Sequence, residues 1–516
     1  MTQEELSSLQ KRIDESSDTK DINEINKIIS EIENKINSID DLHMKTNLYY
    51  LLGNCYSELH DIKNDVDNST IWHYEQKNLF KSIYFYRKSI NEINFEDFEL
   101  QLKVGLLTNL ANSFSHYGRP IEALRYYNLA LLEDKKVKVL KNNSYLYPNY
   151  FMLLANKGWC FQNYSKIIYD ISHSHLFNKE AYNFFIKAIK KVAFFIENTK
   201  YEFSYDFYKQ FKNTLESNCA SLEEFYGLDF LNKDENYNEY ELSENENESK
   251  YQKWCLLNQL YLNPMNDLGN INIATHDILG LPNLKTPVKN GFPIYITYFN
   301  QIKQEFIFNR SLLFEGLNNL TEKFYDNAKY IIDDFDYNLF NMDIEKIKIV
   351  FRGFYGLFDK IAYLLNEYLE LGWDDRNIDF NKIWKNPNNK KQLSSKLLSL
   401  ENYAIRGLYL INKDISFNTD EEFEQSIEPY SKDMAKIRNH LEHKFLMVKI
   451  INPIRNNDRE RKYYQITEDE LIEKTIRLAQ LVREAIIYTS LAIYIEEEKK
   501  DKDKLAIKQK LNLYMD

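Results

Sequence analysis

Residues 106–134 read LLTNLANSFSHYGRPIEALRYYNLALLED, and this stretch decides the fold of the N-terminal half of the chain. Its first part repeats apolar residues at helical spacing: Leu107, Leu110, Ala111 and Phe114. Its second part does the same with Ala123, Tyr127 and Ala130. Between them lies a turn at residues 117–120, which ends on a proline where a helix often begins. The stretch predicts two helices that pack closely through their small residues.

Two weaker copies of this pattern flank the first one. The upstream copy consists of Tyr49, Leu52, Gly53 and Tyr56, followed by Ser82, Tyr86 and Ser89. The downstream copy consists of Leu154, Gly158 and Phe161, followed by Ala181, Phe185 and Ala188. The pattern resembles the tetratricopeptide repeat, which implies stacked helix pairs with a concave surface for a partner. A purely structural arm without a ligand is the alternative interpretation.

The composition favours helices. Glycine and proline together make up only about 4% of the 516 residues, where about 12% is usual. A chain with so few turn-forming residues favours long helices over a many-stranded β fold. The formal net charge of −12 excludes a surface coated with basic residues for nucleic acid, but a local basic site is compatible with it. We therefore expect an all-α protein.

Several classes of site are absent from the sequence. There is no Gly-rich phosphate loop and no H-E-x-x-H pair, and the four cysteines lack zinc-binding spacing, so we expect no cofactor and no metal. The polar N-terminus lacks the apolar core of a signal peptide, and no run of about 18 apolar residues is present. We expect a cytoplasmic protein without membrane contact.

Changes in composition predict five segments. Residues 1–230 form the repeat domain, and residues 231–250 an acidic linker, since residues 233–250 hold seven acidic residues and two lysines. Residues 251–304 form an irregular connector rich in turn signals, with residues 296–299 (ITYF) as a candidate short strand. Residues 305–498 form a helical bundle, and residues 499–516 form a charged tail.

Helical periodicity is strong in the predicted bundle. We expect one or two helices within residues 301–333, and others at residues 343–371, 391–412, 430–450 and 468–498. The sequence at residues 467–470 (TEDE) resembles a capping box at the start of the last of these helices. Four or five long helices with modest loops are typical of a helical bundle.

The segment that suggests chemistry is RNHLEH at residues 438–443. Asn439 and His443 are four residues apart and share a helix face, and the long side chain of Arg438 reaches the same surface. An arginine supplies a fixed positive charge for a phosphodiester, and a histidine transfers protons near neutral pH. A solvated helix with an ion pair between Arg438 and Glu442 is the alternative interpretation.

The position of this motif adds information, because it lies on the penultimate helix of the predicted bundle. The first long helix of that bundle reads FRGFYGLFDKIAYLLNEY at residues 351–368. The combination resembles the HEPN superfamily, and residues 254–268 and 299–315 resemble a bacterial HEPN family found with tetratricopeptide-type regions in phage-defence systems. The resemblance implies a metal-independent endoribonuclease, in which two copies of the motif line one cleft of a homodimer. RNA would be cut by its own 2′-OH, leaving a 2′,3′-cyclic phosphate and a 5′-OH.

The resemblance also assigns roles to residues. Arg438 would bind the scissile phosphate, His443 would act as the base or the acid, and Asn439 would orient one of them. Four further residues are candidates for supporting roles: Glu442, His440, Arg352 and Asp359. We interpret His440 as a surface residue, and for Arg352 and Asp359 both a buried pair with the motif helix and a structural ion pair stay open.

Taken together, these features predict an effector whose repeat domain senses an unknown protein or ligand and regulates a ribonuclease. Such a protein would act in antiviral defence, in abortive infection or as a toxin. The alternative is a non-catalytic scaffold, or a dimerisation protein that binds a nucleotide or RNA.

Overall fold

The computed structural model describes most of the chain: residues 3–66, 72–91, 100–140, 148–198, 205–233, 240–285, 293–318, 320, 324–332, 336–415, 431–451 and 463–500. The described residues are mainly helical, with two short two-stranded sheets. They divide into two compact units, one made of the described residues up to 233 and the other of the described residues from 240 onwards. The expected helical fold class is confirmed.

The N-terminal unit consists of consecutive helices. Their bounds are α1 (Gln3–Asp18), α2 (Ile22–Ile36), α3 (Leu42–Val66), α4 (Lys77–Asn91), α5 (Leu100–Tyr117), α6 (Pro120–Leu140), α7 (Pro148–Ser165), α8 (Ile171–Asn198), α9 (Tyr205–Tyr226) and α10 (Leu228–Asn232). Helices α3 and α4, α5 and α6, and α7 and α8 pack as pairs, and each pair contacts the next. Packing between sequence neighbours of this kind is typical of a helical solenoid.

The residues that define the predicted repeats form the core of these pairs. All seven that the central stretch contributes are buried, and so are those of the two flanking copies. At Gly158 an added Cβ would lie 2.6 Å from Cε1 of Phe185, so only glycine lets α7 and α8 approach this closely. Gly118 has a φ of 117°, which permits the tight turn before Pro120 begins α6. The residues of the sequence pattern are therefore those through which the two helices of each pair pack.

The C-terminal unit combines long helices with short strands. Its α-helices are α11 (Glu246–Leu257), α12 (Ile294–Leu317), α13 (Phe324–Asn327), α14 (Met342–Leu369), α15 (Ser395–Leu398), α16 (Tyr403–Ile415), α17 (Ser431–His443) and α18 (Glu468–Lys499), with 3₁₀ turns at Pro264–Asp267 and Asn272–Ala274. Strands β1 (Lys385–Asn386) and β2 (Asn389–Leu393) are antiparallel. Strands β3 (Phe445–Lys449) and β4 (Tyr463–Thr467) are parallel.

The core of the C-terminal unit forms between α12, α14, α16 and α18, and α17 packs on α14 and α16. Helix α18 begins at the predicted capping box, where the Thr467 side chain accepts from Glu470 N and the Glu470 side chain accepts from Thr467 N. Among the described residues, only α18 is long and apolar enough to cross a membrane, and 83% of its most apolar window is buried inside the protein. Burial on this scale identifies α18 as the central core helix.

Two buried arginines fasten the turn-rich segment 258–281 to the bundle. Arg310 on α12 makes a bidentate pair with Asp277, at 2.8 and 2.7 Å. Arg483 on α18 lies 2.6 Å from Asp267, and both side chains are at most 1% exposed. Arg483 also donates to the carbonyl oxygens of Tyr261 and Asn263. These bonds satisfy backbone groups that the irregular segment would otherwise bury without partners.

The structure differs from three predicted elements. Residues 296–299 lie inside helix α12, because Phe299, Ile302 and Phe306 recur at helical spacing and are buried together. The predicted helix 430–450 ends at His443, and the chain continues as strand β3 because β4 pairs with it. The predicted helix 391–412 is divided into the end of β2, the single turn α15 and helix α16.

The boundaries between segments also differ in detail. Helix α11 begins at Glu246, within the predicted acidic linker, and α12 begins at Ile294, within the predicted connector. Residues 234–239 of the linker, residues 454–462, which the sequence predicts to form a basic loop, and residues 501–516 of the tail lie outside the described residues.

Candidate active site on the motif helix

Helix α17, which we call the motif helix, is amphipathic. Met434, Ile437 and His440 recur every three residues and are buried against the bundle. Arg438, Asn439, Glu442 and His443 lie on the other side and are exposed. The structure therefore presents all three predicted catalytic residues to solvent on one surface helix.

Arg438 is held by an aromatic ring from a different helix. Its guanidinium carbon lies 5.1 Å from the centroid of the Tyr355 ring on α14, within the range of a cation–π interaction. Burial raises the pKa of the Tyr355 hydroxyl, and the positive charge of Arg438 opposes this shift. The phenol is therefore neutral at physiological pH and acts as a flat support for the guanidinium.

Asp359, one turn further along α14, belongs to the same neighbourhood. Its Oδ1 accepts a hydrogen bond of 3.0 Å from the backbone nitrogen of Phe380. Burial raises the pKa of the Asp359 carboxyl, and the nearby Asp379 acts in the same direction. The Phe380 hydrogen bond and the charge of Arg438 oppose the shift. The structure thus places Asp359 close enough to Arg438 for their charges to interact.

His440 is not the surface residue that we expected. Its side chain is only 5% exposed, and its ring packs against Tyr464 of β4 with 5.6 Å between centroids. Nδ1 lies 2.8 Å from the carbonyl oxygen of Lys436, which can only accept, so Nδ1 carries the proton. Nε2 is buried without a hydrogen-bond partner among the described residues. His440 therefore anchors the motif helix to the strands.

The other two supporting candidates make no such contacts. Arg352 is exposed on α14 and has neither an ion pair nor a hydrogen bond with any described residue. Glu442 is exposed as well, and in the described part of the chain it makes no ion pair with Arg438. The Arg438–Glu442 ion pair of the alternative interpretation is thus not formed among the described residues, and Arg438 faces Tyr355 instead.

Sequence reasoning missed Tyr355. The sequence near it, FRGFYGLFD at residues 351–359, contains one glycine two residues before Tyr355 and another directly after it. A Cβ at Gly353 would collide with Asn309, so this glycine permits close packing of α12 on α14. A Cβ at Gly356 would meet nothing within 4 Å, so the surface beside Tyr355 is open. Arg438, which lies over the Tyr355 ring, can therefore be reached from solvent on this side.

An apolar surface begins directly after the motif helix. Segment 336–340 pairs with the edge of β3 that does not face β4. Leu339 N donates to Val448 O, and Ile450 N donates to Tyr337 O. Five exposed apolar side chains lie on β3 or on the backbone segments next to it, and we call them the β3 patch: Tyr337, Phe340, Phe445, Ile450 and Ile451. Phe445 is 74% exposed and follows His443 by two residues. Apolar clusters of this kind at a protein surface mark interaction sites.

Comparison with known families identifies part of the C-terminal unit. Residues 287–496 match the family model described as LA2681-like HEPN. The C-terminal unit contains a HEPN domain. The HEPN match includes α12, α14, the motif helix and most of α18, and so it contains every residue of the candidate site. No curated protein and no solved structure matches the chain.

The chemistry available at the HEPN surface follows from its residues. Arg438 offers a fixed cation, Asn439 an amide, and His443 an imidazole that can carry a proton in either direction. Within the described residues, no group of three or more His, Cys, Asp or Glu side chains is arranged to hold a metal ion. The side chains present are suited to bind a phosphodiester and to move protons around it.

Proposed function

We propose that the protein is a metal-independent endoribonuclease whose active site forms around the motif helix of its HEPN domain. The observation that carries the proposal is the exposure of Arg438, Asn439 and His443 on one helix, with Arg438 supported by Tyr355. An arginine that served only the stability of the bundle would be expected to have an acidic partner, and Arg438 makes no ion pair with a described carboxylate. Its free donors suit a phosphate.

Each residue has a defined step in the reaction. Arg438 binds a non-bridging oxygen of the scissile phosphate and stabilises the charge that builds up there. His443 takes the proton from the 2′-OH, whose oxygen attacks phosphorus while the bond to the 5′-oxygen breaks. A protonated histidine returns a proton to the leaving 5′-oxygen. Asn439 donates a hydrogen bond that orients the phosphate.

Helix geometry favours a site built from two chains. His443 lies five positions after Arg438, which corresponds to about 140° of rotation and roughly 7.5 Å along the helix. One motif helix therefore directs the two side chains to different places. A second copy, related by a two-fold axis, supplies His443 opposite Arg438 and a second histidine for the leaving group.

The β3 patch supports this dimer. One of its members, Phe445, follows His443 by two residues and is 74% exposed, so a second HEPN domain that packed on Phe445 would bring its own motif helix close to the first. A symmetric contact would cover the patch on both copies at once. We therefore propose a homodimer formed through the HEPN domains.

For the N-terminal unit we propose a regulatory role as a tetratricopeptide-like sensor. The burial of every residue that defines the pattern of the three predicted repeats supports the repeat assignment. A cytoplasmic ribonuclease needs control, because uncontrolled cleavage of RNA harms the cell. A binding event on the repeat unit would activate the HEPN domain in antiviral defence or as a toxin.

The experiment that tests the proposal is an analysis of RNA ends. A 5′-labelled single-stranded RNA is incubated in EDTA with the full-length protein, with His443→Ala, and with His43→Ala as a matched control. His43 is an exposed histidine on α3 of the N-terminal unit. We expect 2′,3′-cyclic phosphate ends from wild type and His43→Ala, and none from His443→Ala. RNA that is bound but left intact by all three proteins would favour the non-catalytic scaffold.

A further inference from the structure

The hairpin of β1 and β2 in the C-terminal unit carries a local excess of positive charge. Residues 385–396 hold four lysines and no acidic residue, in a chain whose formal net charge is −12. Three of them, Lys385, Lys390 and Lys391, are exposed and make no ion pair with a described carboxylate. Lysines elsewhere in the unit commonly have such a partner, as Lys346 has Glu315 at 2.8 Å. Three cations on one hairpin are therefore available to an anionic ligand.

The pairing of the two strands is irregular where the lysines lie. Asn386 pairs with Asn389, and Lys385 pairs next with Leu393, so residues 390–392 have no paired position on β1. All three residues of this bulge are exposed. Bulges redirect side chains and are frequent beside functional sites. The bulge therefore presents Lys390 and Lys391 to solvent as an adjacent pair.

The root of the hairpin is fixed by buried contacts. Trp384, directly before β1, is 3% exposed and packs edge-on against the ring of Phe380. Its carbonyl oxygen accepts from Ser394 N at 2.9 Å, which closes the hairpin where β2 ends. The indole nitrogen of Trp373 donates to the carbonyl oxygen of Lys385 at 3.2 Å. The exposed lysines thus extend from an ordered base.

The same root adjoins the candidate active site. Phe380 N donates to Asp359 on α14, one turn from Tyr355, whose ring supports Arg438. Burial raises the pKa of the Asp359 carboxyl, and the positive charges of Arg438 and Lys382 both oppose this rise. Arg438 and Lys382, which lies three residues before β1, are therefore within electrostatic range of one carboxylate. The hairpin thus extends the positively charged surface that begins at Arg438.

We propose that the hairpin of β1 and β2 binds the phosphate backbone of single-stranded RNA and guides the strand to Arg438. Lys385, Lys390 and Lys391 each contact a phosphate away from the scissile one, and binding there releases the counterions of those phosphates. Contacts to phosphates position a strand and carry no information on its bases, so the hairpin aligns RNA without setting a sequence preference. The proposal deepens the proposed function, and it rests on that function only for the cleavage of the RNA that the hairpin holds.

The test measures RNA binding separately from RNA cleavage. The probe is a fluorescein-labelled single-stranded 2′-O-methyl RNA of about 12 nucleotides, which has no 2′-OH to attack its own phosphates. Its affinity for the full-length protein is measured by fluorescence anisotropy at several salt concentrations. The double variant Lys390→Gln/Lys391→Gln is compared with Lys190→Gln/Lys191→Gln, which changes an adjacent pair of exposed lysines on α8. Both double variants change the net charge of the protein equally.

Two phosphate contacts to a single strand contribute about 1.4 to the steepness of log affinity against log salt. We expect the hairpin variant to lose that amount and to bind several-fold more weakly at low salt, while the α8 variant matches wild type. Thermal melts identify a variant that fails to fold, and Lys385→Gln, which should lose about 0.7, then decides the result. A hairpin variant with the wild-type steepness, equal losses in both double variants, or no salt-dependent binding by wild type would overturn the proposal.

Cleavage of unmodified RNA, measured in parallel, separates this proposal from the ribonuclease assignment. If wild type cuts RNA and the hairpin variant binds the probe as wild type does, the hairpin proposal alone is overturned. If the hairpin variant loses salt dependence and no protein cuts RNA, the result supports the hairpin as an RNA-binding surface and contradicts the ribonuclease.

Discussion

The guanidinium of Arg438 lies over the ring of Tyr355, with 5.1 Å between the guanidinium carbon and the ring centroid. The two residues come from different helices of the HEPN domain and are 83 positions apart in the sequence. The ring supports the arginine without occupying its hydrogen-bond donors, which an acidic partner would do. The arginine thus stays ordered while its donors remain available to a phosphate.

This contact predicts a difference between two substitutions at Tyr355. Tyr355→Phe keeps the ring, so RNA cleavage should stay within about twofold of wild type. Tyr355→Leu removes the ring, and the rate should fall by roughly five- to thirtyfold, as expected for a partly desolvated cation–π contact. Cleavage rates at saturating RNA measure the effect, and thermal melts check the folding. Equal rates for the two variants would show that the ring does not position Arg438.

The β3 patch predicts dimerisation of the protein. Phe445→Glu places a charge in the proposed two-fold contact, so we expect the dimer to dissociate and the cleavage rate to fall with it. The matched control is Phe225→Glu in the N-terminal unit, since Phe225 is 75% exposed and Phe445 74%. Sedimentation velocity at micromolar concentration reports the state of association. A wild-type monomer that cleaves RNA at full rate would contradict the two-chain site.

The buried pair between Arg483 and Asp267 predicts a large effect on stability. Arg483→Met leaves Asp267 buried without its cation, at a cost of about 3–5 kcal/mol of unfolding free energy. The comparison is the pair of Lys499 and Glu496, at 2.8 Å, in which the lysine side chain is 42% exposed and the carboxylate also has Asn402 as a donor, so that Lys499→Met should cost less than about 1 kcal/mol. Urea unfolding measures both variants. Similar losses for the two variants would mean that Arg483 does not secure the segment 258–281.

The environment of Asp359 predicts a pH dependence of stability. Because burial raises the pKa of this carboxyl, the folded protein binds the proton more tightly than the unfolded chain does. The contribution of Asp359 to stability is therefore greatest below the ordinary carboxyl pKa and decreases as the pH rises through the raised value. The asparagine of Asp359→Asn cannot ionise. The melting temperature of this variant minus that of wild type should therefore be larger at pH 7.5 than at pH 4.

The control for this measurement is Asp229→Asn, at an exposed position on α10. Its melting temperature relative to wild type should change little between the two pH values. If the melting-temperature difference of Asp359→Asn also changes little with pH, then burial does not raise the pKa of Asp359 in the folded protein.

Local patterns in the sequence were enough to predict the helical class and its repeat positions. Small residues such as Ala111 and Gly158 are required wherever two helices approach closely. The capping box is also a local feature, since Thr467 and Glu470 are only three positions apart. Strand β3 was not predictable in this way. Residues 445–449 continue a helical pattern and become a strand because β4 and segment 336–340, both distant in sequence, pair with them.

The candidate site likewise has features that the local sequence predicts and features that depend on packing between distant elements. Arg438, Asn439 and His443 lie in one hexapeptide, and their exposure follows from the amphipathic pattern of the motif helix. The support from Tyr355 depends on the packing of α14 against the motif helix, which the spacing within either helix does not specify. The burial of His440 has the same origin, since its ring meets Tyr464 across the fold.

The central claim is that the motif helix of the HEPN domain cleaves RNA without a metal. The most direct measurement is the rate of single-stranded RNA cleavage in EDTA by the full-length protein, by Arg438→Ala and by His443→Ala, each with an unchanged melting temperature. Loss of the phosphate ligand or of the proton carrier should lower the rate at least about a hundredfold. Cleavage by either variant at the wild-type rate would contradict the claim.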